Sequence, residues 1–182
     1  MVRISFEADD CTEVVLREPR ADDARGMMEF INSVIGEEMS GIVLEKKLTL
    51  EAEKAWLEGI LKEIERRDTV MLVVEGDGRI LGNCHASRRS AKHSHRASIG
   101  IALVKDARGK GIGEAAMTAT IDLVRKRMKG VEFIDLSTFE YNKRAQRLYR
   151  KLGFVKVGDI PDAVREGDRR FREHLMALDL RK

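Results

Sequence analysis

Between Arg108 and Gly113 the chain reads Arg-Gly-Lys-Gly-Ile-Gly, three glycines and two cations in six positions, and then turns into a helical pattern. The first turn of a helix carries unpaired backbone N–H groups and the positive end of the helix dipole, so it accepts phosphate oxygens without any side chain. Glycine removes the β-carbons that would hold an anion away, and Arg108 and Lys110 add charge suited to a diphosphate. The same residues also suit an ordinary strand-to-helix turn with solvated cations. Two common phosphate loops do not fit. A P-loop needs four residues between its first glycine and a Gly-Lys-Ser/Thr triplet, which is missing after Gly109. A dinucleotide loop needs G-x-G-x-x-G, whereas Gly109, Gly111 and Gly113 fall at every second position, and no acidic residue closes a following parallel strand. His85, His93 and His95 carry ligand chemistry, but their spacing matches no metal site and none is assigned. Cys11 and Cys84 match no metal spacing and no disulfide framework, and read as free thiols of a reducing cytosol.

Those groups need elements to hold them. "TEVVLREP" reads as a first strand that stops at Pro19, because proline restrains its predecessor and cannot donate to a ladder. "ADDARGMMEFINSVIG" reads as a helix with acidic residues at its N-terminus and Met27, Phe30 and Ile31 at helical spacing. "EEMSGIVLEKKL" is irregular, and Thr49 then caps a second helix whose apolar stripe includes Trp56, Leu57, Ile60 and Ile64. "TVMLVVE" and "RILGNCHASRR" flank a tight turn at 76 to 78 as a hairpin, and "ASIGIALV", after a basic loop, reads as a buried central strand. "EAAMTATIDLVRKRM" is helical, "VEFIDLSTF" a strand, and "NKRAQRLYRKLG" a helix with Asn142 as cap and Gly153 as stop. "FVKVGDI" and "FREHLMALDL" supply two last strands. The expected order is strand, two helices, three strands, helix, strand, helix, two strands, within one domain over residues 1–182.

Composition narrows the function classes. With 43% hydrophobic residues and 34 basic residues set against 31 acidic ones, disorder is excluded and the net charge of +3 is too small for a dedicated nucleic-acid binder. No apolar run approaches the roughly 18 residues of a membrane span, and "MVRISFEADD" lacks the apolar core of a signal peptide. A soluble, cytoplasmic protein is expected.

The run from Arg108 to Gly113 also fits R/Q-x-x-G-x-G/A, and "NKRAQRLYRKLGF" fits N-x-x-A-x-x-L-Y-x-x-x-G-F at Asn142, Ala145, Leu148, Tyr149, Gly153 and Phe154. On these two motifs and the element order, the chain resembles the GNAT superfamily of acetyl-CoA-dependent N-acetyltransferases over nearly its whole length. The resemblance implies an α/β (α+β) fold with a mixed, mostly antiparallel sheet of six to seven strands, about four helices, and splayed parallel strands at 97–104 and 131–138. It implies acetyl-CoA as co-substrate, no metal, and direct attack of a primary amine on the thioester in a ternary complex. Backbone N–H groups from Arg108 through Gly109, Lys110, Gly111, Ile112 and Gly113 would take the pyrophosphate. Ile101, Ala102 and Leu103 would pair with pantetheine as a mock strand, the Leu103 N–H polarising the thioester carbonyl. Asn142 would contact CoA. Tyr149 takes the position of the general acid for the departing thiolate, with Tyr141 nearby.

Ala97 and Ser137 stand where relatives carry a catalytic glutamate, so the base must come from elsewhere. His95, two residues from Ala97 on the same strand face, is the leading candidate, with Glu140 and Asp135 behind it. Glu37 and Glu38 suit a wall that attracts a cationic amine. The amine itself is open: a protein N-terminus or lysine, a polyamine or a small-molecule amine. A non-catalytic acyl-CoA-binding or regulatory module is the alternative, and an RNA contact through Arg88, Arg89, Lys92 and Arg96 is a third reading. A homodimer is compatible with the family.

Overall fold

The structure, a computed structural model, describes residues 2–181. Its strands are β1 (Arg3–Glu7), β2 (Glu13–Arg17), β3 (Thr69–Gly76), β4 (Arg79–Arg88), β5 (Arg96–Leu103), β6 (Phe133–Phe139), β7 (Val155–Glu166) and β8 (Arg169–Asp179). The helices are α1 (Ala24–Ile35), α2 (Leu50–Glu65), α3 (Ile112–Arg127) and α4 (Lys143–Lys151). The strands form one sheet in the order β1-β2-β3-β4-β5-β6-β8-β7. Every neighbouring pair is antiparallel except β5 with β6.

The expected architecture holds, with eight strands where six or seven were expected. The additional one, β1, pairs with β2 at the edge; its Arg-Ile-Ser-Phe-Glu alternates polar and apolar, with Ile4 exposed and only Phe6 partly buried against the core. Further along, β7 runs past Ile160 through Pro161 to Glu166. Proline is tolerated there because β7 is an edge strand with an irregular register between Ile160 and Val164.

Local chemistry sets the helices. The Thr49 hydroxyl accepts the Ala52 N–H at 3.2 Å and opens α2. Met27, Phe30 and Val34 recur on the buried face of α1, and Ala116, Met117, Thr120 and Val124 on that of α3. Thr120 spends its buried hydroxyl on the Ala116 carbonyl. Directly opposed residues of paired strands share a sheet face, so Cys84 with Ile101 lies on the α3 side and His85 with Gly100 on the α2 side. The sheet is therefore covered on both faces. Its middle strand β3 is fully buried from Val70 to Val74, which is why it reads as a continuous apolar run.

One ion network fixes the entry to α1. Arg17, 5% exposed, donates twice to the Asp23 carboxylate at 2.7 Å and once to Glu75 at 2.7 Å. Breaking such a buried set from one side costs roughly 3–5 kcal/mol, because the remaining charge stays uncompensated.

Candidate active site

β5 and β6 pair only over three positions, Arg96 to Ser98 against Phe133 to Asp135, and then part. The gap opens into a cleft of about 630 Å³. Its donor wall is residues 101–103 of β5, the glycine loop and α4 from Asn142 to Tyr149; its far wall is Ser137, Thr138, Tyr141 and residues 39–42. The Val104 N–H is spent on the Leu81 carbonyl toward β4, at 2.8 Å. Alternation along an extended chain then turns the Leu103 N–H to the open flank. Close strand approach behind it depends on Gly82, where a β-carbon would lie 2.2 Å from the Ala102 carbonyl oxygen.

The glycine loop is built from backbone. Gly109 and Gly111 have φ of 77° and 76°, the left-handed region that side chains disfavour, and Gly111 caps α3. Its two cations are engaged with carboxylates. The Lys110 ammonium meets Asp10 at 2.7 Å, and the Lys110 carbonyl accepts the Asp9 N–H at 3.2 Å. Arg108 donates from Nε to the Leu103 carbonyl at 2.8 Å and from both terminal nitrogens to Glu37 at 2.6 and 2.8 Å. Ile112 is buried in the core, so only its backbone is left for a ligand. Cations that face the cleft without a carboxylate partner among the described residues stand instead on α4: Lys143, Arg144 and Arg147. Sequence reasoning passed over them, although "NKRAQR" spaces them on the exposed side of a helix whose buried side carries Gln146 and Tyr149.

Asn142 accepts the Ala145 N–H at 3.2 Å, which caps α4, and it also lines the cleft. Tyr149 is 7% exposed at the cleft wall, and burial raises its phenol well above the ordinary range, so it keeps its proton. Tyr141 is committed elsewhere. Its hydroxyl donates to Glu166 at 3.0 Å, and its ring meets Phe171 edge-on with centroids 4.9 Å apart. Burial and Glu166 together raise its phenol also.

A model of the acetyltransferase (GNAT) family matches residues 37–154, which hold the cleft loop, the splayed strands and α4. The chain belongs to the GNAT family. It is an acetyl-CoA-dependent acyltransferase. No curated protein sequence matches it. Solved GNAT structures share its fold: the GNAT acetyltransferase of Streptococcus pneumoniae at 22% identity, covering 92% of this chain and 99% of that one with a TM-score of 0.82. The ribosomal-protein-S5-alanine acetyltransferase of Vibrio fischeri aligns at 20% identity over 98% of this chain and 97% of its own, TM-score 0.84. YncA of Salmonella typhimurium, solved with its cofactor acetyl-CoA, aligns at 20% identity over 92% and 94%, TM-score 0.80.

Within this GNAT chain the anticipated bases fall outside the cleft. His95 is exposed at the start of β5, the closed end of the fork, where its ring meets Phe133 edge-on at 6.4 Å and its carbonyl accepts the Glu132 N–H. Six residues of strand separate it from Ile101, roughly 20 Å at 3.3 Å per residue. Asp135 is held by Arg89 and Arg96. Glu140 accepts the Arg172 N–H at 3.2 Å. Glu37 belongs to Arg108 and has no charge to spare for an amine. In the basic loop Arg88 meets Asp68 at 3.3 Å and Arg89 and Arg96 share Asp135, while Lys92 is exposed without a carboxylate partner among the described residues. His85 is half-buried, its ring perpendicular to that of Trp56 and away from the other histidines, and no set of three metal-ligating side chains converges among the described residues. Among them, too, no helix is long and apolar enough to cross a membrane. Cys11 is exposed and Cys84 buried, both free, and burial pushes the Cys84 thiol up to about 12, which leaves it inert.

Proposed function

We propose that the chain is an N-acetyltransferase that moves the acetyl group of acetyl-CoA onto a primary amine by direct attack in a ternary complex. The observation that carries this reading is the fork itself: an unpaired flank of β5 that leads from the glycine loop to Tyr149, in one cleft with a second wall on which an acceptor can sit. Pantetheine pairs with residues 101–103, as an added strand does, and the pyrophosphate lies on the amides of Arg108 to Gly113. Lys143, Arg144 and Arg147 supply the positive field that the engaged side chains of Arg108 and Lys110 do not. The Leu103 N–H polarises the thioester carbonyl, and Tyr149 protonates the departing thiolate. Free CoA release is the test, measured with an alanine-initiated peptide, lysine amide, spermidine and phenethylamine. Turnover on at least one amine supports the reading. Tight binding of acetyl-CoA with no turnover on any of them supports the non-catalytic module instead.

A further inference from the structure

Ser137 lines the cleft where the family pattern has a glutamate, and a carboxylate from another strand, one hydrogen bond behind the lining, meets its hydroxyl. Ser137 is opposed by Leu175 of β8, and Glu173 opposes Phe139, so Ser137 and Glu173 are diagonal neighbours on one face of the sheet. The Ser137 hydroxyl donates to Glu173 Oε1 at 2.5 Å. Of the other carboxylates nearby, Glu37 is paired with Arg108, Asp135 with two arginines and Glu114 with Lys151; Glu166 accepts the Tyr141 hydroxyl, and Glu38 is exposed beside residue 39 without a cationic partner among the described residues. Glu173 has no cationic partner among the described residues and is half-buried. The rings of Phe139, Tyr141 and Phe171 pack in sequence on the same side, at 5.5 and 4.9 Å between centroids. A carboxylate beside aromatic faces suits an incoming ammonium.

We infer that Glu173 is the base of this enzyme, held at the cleft by Ser137, an inference that rests on the N-acetyltransferase reading. The acceptor ammonium gives one proton to the Glu173 carboxylate. The freed lone pair attacks the thioester carbon, and the C–N bond forms. Collapse breaks the C–S bond. The thiolate takes the Tyr149 proton, and the second proton lost by the nitrogen restores the phenol. Glu173 releases its proton to water, so one amide, one CoA thiol and one proton leave.

The test is the pH dependence of kcat/KM for Glu173→Gln and Ser137→Ala, with the panel amine that the wild-type protein turns over fastest and with acetyl-CoA affinity measured alongside. Glu173→Gln is expected to keep its acetyl-CoA affinity and to lose roughly 100-fold near neutral pH, the ordinary worth of a positioned base. The deficit should shrink as pH rises toward the pKa of the amine, where the acceptor arrives already neutral. Ser137→Ala should lose less and keep the acidic limb of the profile. A Glu173→Gln deficit that is equal at every pH, or none at all, overturns the assignment. Failure of the wild-type protein on every amine overturns the reading beneath it, and that result is seen before any variant is made.

Discussion

The two walls of the cleft are made of different material. The donor wall is largely main chain, the open flank of β5, two glycines in left-handed geometry and the first turn of α3, to which α4 adds the side chains of Asn142, Arg147 and Tyr149. On the far wall, side chains are tied to partners from distant parts of the sequence, Ser137 to Glu173 and Tyr141 to Glu166. Backbone geometry serves any chain that binds the same co-substrate, whereas a wall of side chains can be exchanged piece by piece to suit another amine.

The largest test of that contrast removes the hydroxyl that α4 adds to the donor wall. Tyr149→Phe should lower kcat about 100-fold with acetyl-CoA affinity unchanged, as read from CoA release and calorimetry, because the proposed proton donor is lost and no contact is. Next is the donor backbone. Gly111→Val forces a β-branched residue into the left-handed region, a strain of roughly 1–2 kcal/mol, and should weaken acetyl-CoA by about tenfold in calorimetry. Lys110→Ala should leave that affinity nearly unchanged, since its ammonium belongs to Asp10. Glu37→Gln should release the Arg108 guanidinium from its carboxylate, leave KM for the amine nearly unchanged, and quicken hydrogen exchange over residues 37–48.

Two smaller effects mark regions outside both walls. Burial lowers the pKa of His85, and its Nδ1 has no hydrogen-bond partner. Below about pH 6.5 the unfolded chain takes up a proton that the folded chain resists, so stability should fall as pH drops through that value. His85→Phe should flatten the fall, seen as urea midpoints that no longer differ between mildly acidic and neutral pH. Smallest is the thiol count: Cys11 should react with a thiol reagent in the native protein, and Cys84 only after unfolding.

What the sequence disclosed follows the same division. The donor wall was readable because glycine, proline, caps and apolar period act within a few residues: Gly111 announces a turn and Asn142 a helix start whatever lies elsewhere. Strand β1 went unread although Arg-Ile-Ser-Phe-Glu alternates polar and apolar; the run is only five residues, and of its two apolar side chains only Phe6 is partly buried. His95 drew attention as an imidazole near the right strand, yet strand length places it at the wrong end of the fork. Glu173 gave no local sign. It becomes significant only when β8 pairs with β6 and brings it diagonally to Ser137, a separation of 36 residues that no window of sequence spans.

The fork has one more consequence. A sheet ordinarily presents its unsatisfied ladder groups at two borders, and this one carries a third inside itself, where β5 and β6 part after Ser98 and Asp135. Such a border is a template for foreign strands wherever it stays open. If pantetheine fills it, the co-substrate becomes a missing piece of the sheet. The melting temperature should then climb with acetyl-CoA concentration by mass action, and the unliganded chain should be the form most prone to associate.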